Sequence, residues 1–170
     1  MKSVVMMGVA GCGKSSAGQA LARTLGLPLI EGDEFHPASN LDKMREGLAL
    51  TDADRADWLS TLGLTLAQQE HGAVLTCSAL KRAYRDRLRA QVPGLHFVFL
   101  DIDPHTAHQR VTARAGAHLF PASLVDSQFA TLESPVGEAG VLRVDATQAL
   151  SSMTETVARW LSDESNKDMT

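Results

Sequence analysis

Apolar residues along the chain fall into short runs and helical stripes that take turns. Val4-Val5-Met6-Met7, Leu27-Pro28-Leu29-Ile30, Ala73-Val74-Leu75-Thr76-Cys77, Leu95 to Leu100 and Val141-Leu142-Arg143-Val144 each have the length of a strand. Near-continuous apolarity over so few residues marks strands covered on both faces. Between the runs, Ala17, Ala20, Leu21 and Leu25 keep helical spacing, as do Trp58, Leu59, Leu62 and Leu66. Short helices are expected around Leu41 to Arg45 and over Ala122 to Leu132, a strongly charged one over Lys81 to Ala90, and a last one over Leu150 to Leu161. Start and stop signals agree with these stripes. Thr51 is an N-cap with Asp52 and Asp54 in the first turn, where the helix dipole favours carboxylates. Asp103-Pro104 opens a helix with proline in its first turn, Gly116 ends that helix, and Pro93-Gly94 closes the charged one. From Ser162 onward the chain is polar and is expected to fray.

Five strands alternating with helices predict an α/β fold, a five-stranded parallel sheet with helices on both faces, because parallel neighbours need crossover helices. The expected organisation is a single domain over residues 1–162 with a tail over 163–170. In such sheets a ligand sits beyond the carboxyl ends of the strands.

Composition narrows the classes. With 44% hydrophobic and 21% charged residues the chain reads as globular, and its formal net charge of −4 argues against a broad nucleic-acid-binding face. No apolar stretch is long enough to span a bilayer, and Met1-Lys2 runs directly into the first strand, so a cytoplasmic protein is expected. The two cysteines, Cys12 and Cys77, have no metal-ligand spacing and read as reduced thiols. The backbone dipoles around Cys12 would lower its thiol pKa and make it oxidisable.

The chemistry starts at Gly8-Val9-Ala10-Gly11-Cys12-Gly13-Lys14-Ser15, a complete phosphate-binding loop with a strand before it and a helix after it. Its backbone N–H groups and the helix N-terminus suit polyphosphate. Lys14 would reach the β- and γ-phosphates, Ser15 would offer its hydroxyl to Mg²⁺, and Ser16 completes the nucleotide-binding run. No Asn-Lys-x-Asp guanine signature is present outside the polar tail, where Asn166-Lys167-Asp168 has the aspartate one place early. The third strand carries no terminal Asp for Mg²⁺, which points to a small kinase, a class in which an Asp after the second strand faces the acceptor.

Four ordered blocks make the resemblance specific. Gly32-Asp33-x-x-His36-Pro37-x-x-Asn40-x-x-Lys43-Met44-x-x-Gly47, Leu50-x-Asp52-x-Asp54-Arg55-x-x-Trp58-Leu59, Cys77-Ser78-Ala79-Leu80-Lys81-x-x-Tyr84-Arg85-Asp86 and Ser127-Gln128-Phe129-x-x-Leu132-Glu133-x-Pro135 resemble the gluconokinase family. The similarity runs from the first strand to about Asp145. Ala49 stands where the family has proline, and the chain has one residue more than the family pattern between Arg114 and His118. The resemblance implies phosphorylation of D-gluconate to 6-phosphogluconate with ATP and Mg²⁺. It further implies a fold of the nucleoside-monophosphate-kinase type with a lid over about 114–121, and a homodimer. Within that framework a related small-molecule kinase such as a shikimate kinase, or a nucleotide-binding regulatory module without turnover, is the alternative.

Roles follow from the chemistry of phosphoryl transfer, which is positioning and charge stabilisation. Asp33 is the expected acceptor-side carboxylate. Arg110 and Arg114, one helical turn apart, would face the nucleotide, with Arg110 near adenine and Arg114 on the phosphates. Gluconate has a carboxylate and a row of hydroxyls, so its pocket needs a cation and polar groups. Ser78, Lys81 and Arg85 are the first candidates, His36 and Lys43 the second, and His118 could meet substrate or lid.

Overall fold

The computed structural model describes residues 3–114 and 123–167. Five strands, β1 (Val4–Met7), β2 (Leu29–Glu31), β3 (Val74–Thr76), β4 (His96–Asp101) and β5 (Val141–Asp145), form one sheet in the order β2-β3-β1-β4-β5. Every pairing is parallel, with Val5 opposite both Leu75 and Phe97. The helices are α1 (Lys14–Leu25), α2 (Ala38–Arg45), α3 (Asp52–Ala67), α4 (Arg82–Gln91), α5 (Pro104–Ala113), α6 (Ser123–Thr131) and α7 (Leu150–Lys167).

The two-residue period of a strand divides the interior into two apolar compartments. Val4 and Met6 of β1 point with Val98 and Leu100 of β4 into one, filled by Leu21 of α1, Val111 of α5, and Val157 and Leu161 of α7. Val5 and Met7 point with Phe97 and Phe99 into the other, filled by Trp58, Leu59, Leu62 and Leu66 of α3 and by Leu88 of α4. A smaller cluster of Met44, Leu50 and Leu124 joins α2 to α6 at the carboxyl end of the sheet. Trp58, Leu59, Leu62 and Leu66, the stripe with helical spacing, are all buried, and strand ends differ from the sequence reading by a residue or two.

Three local features depart from that reading. A 3-10 turn over Gly32–Phe35 follows β2 directly, and α2 begins at Ala38 rather than near Leu41. The third is α7, which continues past Leu161 to Lys167. Its polar end is held by its own side chains: Ser162 and Ser165 donate to the carbonyls of Ala158 and Leu161, and Lys167 pairs with Glu164.

Candidate active site

Gly13 is the N-cap of α1 at φ 91°, a left-handed conformation that glycine adopts without steric cost. The loop from Gly8 to Gly13 therefore turns sharply out of β1, with Val9 and Cys12 buried in the core and Ala10, Gly11, Gly13, Lys14 and Ser15 lining a cleft. Lys14 Nζ donates to the carbonyls of Gly8 at 3.0 Å and Val9 at 3.2 Å. Ser16 is exposed on the first turn of α1 and does not line the cleft.

Gly32 brings the second strand's end to the same cleft. Its N–H donates to Thr76 Oγ1 at 3.3 Å and its carbonyl accepts from Trp58 Nε1 at 2.8 Å, and a Cβ there would collide with the Thr76 carbonyl oxygen. Only glycine allows β2 and β3 to approach this closely, which aims the next residue, Asp33, into the cleft. Asp33 has half its side chain exposed. Glu31, on the other side of Gly32, accepts from Ser15 Oγ at 3.1 Å and from Thr76 Oγ1 at 2.6 Å through Oε2. This set of hydroxyl and carboxylate oxygens suits a hard divalent cation such as Mg²⁺, which is held by one or two carboxylates together with substrate phosphates.

His36 lies at the wall. Its ring stacks on Trp58 with centroids 4.0 Å apart and planes 18° apart, and its Nε2 is 3.8 Å from Asp33 Oδ1. Burial, opposed by Asp33 and assisted by Arg55, lowers its pKa to about 4, so the imidazole is neutral near pH 7.

Ser78 and Arg114 also line the cleft. Arg110 stands beside the loop, donating to the carbonyls of Gly11 at 3.3 Å, Cys12 at 3.4 Å and Ala146 at 3.2 Å. It ties α5 to the phosphate loop and to the turn after β5. His118 and the expected lid, Arg114 apart, lie outside the described residues.

The gluconate cations are where the sequence reading needs correction. Arg85 is fully buried and does not line the cleft. Its guanidinium donates to the carbonyls of Ala79, Leu80 and Glu133 and pairs with Glu138, which also meets Arg89. Ala79 sits at φ 46°, a conformation non-glycine residues rarely hold unless surrounding contacts impose it. Arg85 is one of those contacts, a clamp behind the Ser78 loop. Lys81 pairs with Asp52 at 3.0 Å and Lys43 with both oxygens of Asp54 at 3.0 and 2.9 Å. Neither lysine lines the cleft. Each is neutralised by a first-turn carboxylate of α3, a partner that only tertiary structure reveals.

Cys12 also differs from expectation. Burial raises its thiol pKa, outweighing the pull of Lys14 and Arg110, and burial pushes Cys77 up to about 12. Loop dipoles do not activate a thiol that is shut away from water.

Four residues of the cleft lining, Leu50, Arg55, Trp58 and Gln128, are not among the candidates, and Arg55 and Gln128 carry polar groups into it. Arg55, on the first turns of α3, faces the cleft, with Nη1 donating to the Leu50 carbonyl at 2.5 Å and to Tyr84 Oη at 3.4 Å. Gln128 of α6 reaches back to accept from the Ala10 N–H at 2.7 Å. Both stand inside motif blocks quoted above, and their signal was adjacency to Asp54 and Phe129 rather than any pattern of their own.

Known proteins resemble this chain in sequence and in fold. A family model described as an AAA domain matches residues 4–135. The chain is 47% identical over 144 residues to a gluconokinase of Gluconobacter oxydans, covering 83% of this chain and 80% of that protein. It is 40% identical over 158 residues to the thermosensitive gluconokinase of Escherichia coli, covering 91% and 84%. Among solved structures, a gluconokinase from Sinorhizobium meliloti superposes with a TM-score of 0.84 at 44% identity over 96% of this chain and 97% of that one. An APS kinase of Mycobacterium tuberculosis, at 23% identity and a TM-score of 0.69, shares the fold.

Proposed function

The chain belongs to the gluconokinase family and phosphorylates D-gluconate at the expense of ATP; from that premise we propose that transfer goes to the 6-hydroxyl, with Asp33 as the acceptor-side carboxylate and Arg55 as the cation that holds the sugar acid. The observation that carries this reading is the convergence of Lys14, Asp33, Arg55 and Arg114 on one cleft. Lys14 and Arg114 belong to the phosphates, one by its place in the loop and the other by its place at the end of α5. Arg55 is the remaining described cation of the lining, and its planar fork suits a carboxylate.

Asp33 hydrogen-bonds the 6-hydroxyl and orients it toward the γ-phosphorus. As the new O–P bond forms and the bond to the ADP oxygen breaks, the hydroxyl proton passes to Asp33. Lys14 and Arg114 stabilise the charge spread over the transferring group. Ser78 lines the cleft for the hydroxyl row. Mg²⁺, held by Ser15 with Glu31 beside it, would neutralise phosphate charge. A cytoplasmic homodimer is the arrangement the family resemblance favours, and no helix among the described residues is long and apolar enough to cross a membrane.

The test is ADP release with ATP and Mg²⁺ across gluconate, shikimate and other sugar acids. Asp33→Asn should lower kcat with gluconate by about 10²–10⁴, the range for a lost general base. Arg55→Ala should raise KM for gluconate and leave KM for ATP unchanged. Full turnover in Asp33→Asn, or phosphorylation of another acid in preference to gluconate, would overturn the assignment.

A further inference from the structure

Asn40 of α2 is buried, and its Nδ2 donates to the Asp54 carbonyl at 2.9 Å while standing 3.3 Å from His36 Nδ1. A carbonyl oxygen can only accept, so the amide's NH2 must face it, and the second hydrogen of that NH2 is directed at Nδ1. Nδ1 is then an acceptor. A neutral imidazole with Nδ1 as acceptor carries its proton on Nε2. Nε2 is the nitrogen that faces Asp33 Oδ1 at 3.8 Å.

From this geometry we infer that His36 is a positioning residue for the reaction: Asn40 locks it in the Nε2–H form, and that N–H orients the Asp33 carboxylate toward the acceptor hydroxyl. The inference rests on the reading of Asp33 given above. The ring cannot swing, because its face lies on Trp58 and Trp58 is pinned by its bond to the Gly32 carbonyl. Asp33, half exposed, is the partner free to move. At 3.8 Å the contact exceeds a hydrogen bond, and a small rotation of the carboxylate closes it, as substrate-free sites commonly require. The lowered pKa keeps the imidazole neutral, so that it donates one hydrogen bond without neutralising the base as a cation would. The charged groups facing it are Asp33 and Arg55.

Two measurements test this. With ¹⁵N-labelled histidine near neutral pH, His36, identified by the signal lost in His36→Gln, should show an unprotonated Nδ1 and a protonated Nε2; an Nδ1–H form or a doubly protonated ring would overturn the proposal. Kinetically, His36→Leu should lower kcat about 10- to 100-fold, the cost typical of losing an outer-shell partner, with KM for ATP and gluconate nearly unchanged. His36→Gln, whose amide reaches the Nε2 position, should recover most of that loss, and His36→Asn should not. In an Asp33→Asn background His36→Leu should cost nothing further. A raised KM for gluconate with unchanged kcat would make His36 a substrate-binding residue instead. If Asp33→Asn is inactive while His36→Leu turns over at the wild-type rate, positioning fails and the acceptor reading stands. Wild-type turnover in Asp33→Asn would remove both.

Discussion

Arg55 and Arg85 are both arginines on helices beside the cleft, and burial separates their work. Arg85 is fully buried against Glu138, whose carboxyl is pushed up by burial but held below its ordinary range by hydrogen bonds from Arg85 and Arg89. Removing Arg85 leaves Glu138 with Arg89 as its remaining partner and strips the carbonyls of Ala79, Leu80 and Glu133 of their buried donor, so Arg85→Met should destabilise the fold by about 3 kcal/mol in denaturant titrations, the low end for a broken buried pair. Its KM for gluconate, measured on the folded fraction, should match the wild type; a large rise would return Arg85 to the substrate. This contrast also marks a limit of the sequence. The phosphate loop was legible because local chain geometry alone creates its chemistry, and the place of Asp33 at the cleft was legible because it follows a strand's carboxyl end. Which of Lys43, Arg55, Lys81 and Arg85 remains unneutralised depends on Asp52, Asp54 and Glu138, and spacing along the chain does not say which carboxylate meets which cation.

At the level of elements, the start of α3 does more than begin a helix. Thr51 and Asp54 form a capping box, the side chain of each accepting from the other's N–H at 3.2 and 2.9 Å. The Asp54 side chain also binds Lys43, and its carbonyl binds Asn40, so the cap fastens α2 to α3 beside His36. Thr51→Ala should cost about 1 kcal/mol of stability, and Thr51→Ser should restore it, by equilibrium unfolding. Equal stability of all three would show the cap to be dispensable. This element was legible: threonine before two acids is a start signal with a mechanism. The 3-10 turn after β2 was not, because it arises from the close approach of Gly32 to β3, a contact between strands far apart in sequence. Nor was the end of α7 at Lys167, because no apolar stripe continues past Leu161 to mark it.

For the molecule as a whole, acid stability should be lost in two successive windows. His36 has its pKa lowered from 6.5 to about 4 in the fold. Between those values the unfolded chain binds a proton that the native state refuses, so stability falls as pH drops through this window, by at most about 1.4 kcal/mol per pH unit. Asp54, lowered from 3.8 to about 2 chiefly by its hydrogen bond from Lys43, contributes stability above 3.8 that disappears as pH falls toward 2. Thermal melts of His36→Gln should lack the first decline and keep the second; an unchanged upper window would show that the imidazole is not what the acid attacks. The chain has two tryptophans. One, Trp160, meets His96 edge-on below the sheet's other compartment, and the other is the indole on which His36 rests. A Trp160→Phe protein would therefore glow from a single place, the wall of the cleft, and its emission would let the arrival of a sugar acid be followed by eye of a fluorimeter, without label, coupling enzyme or turnover.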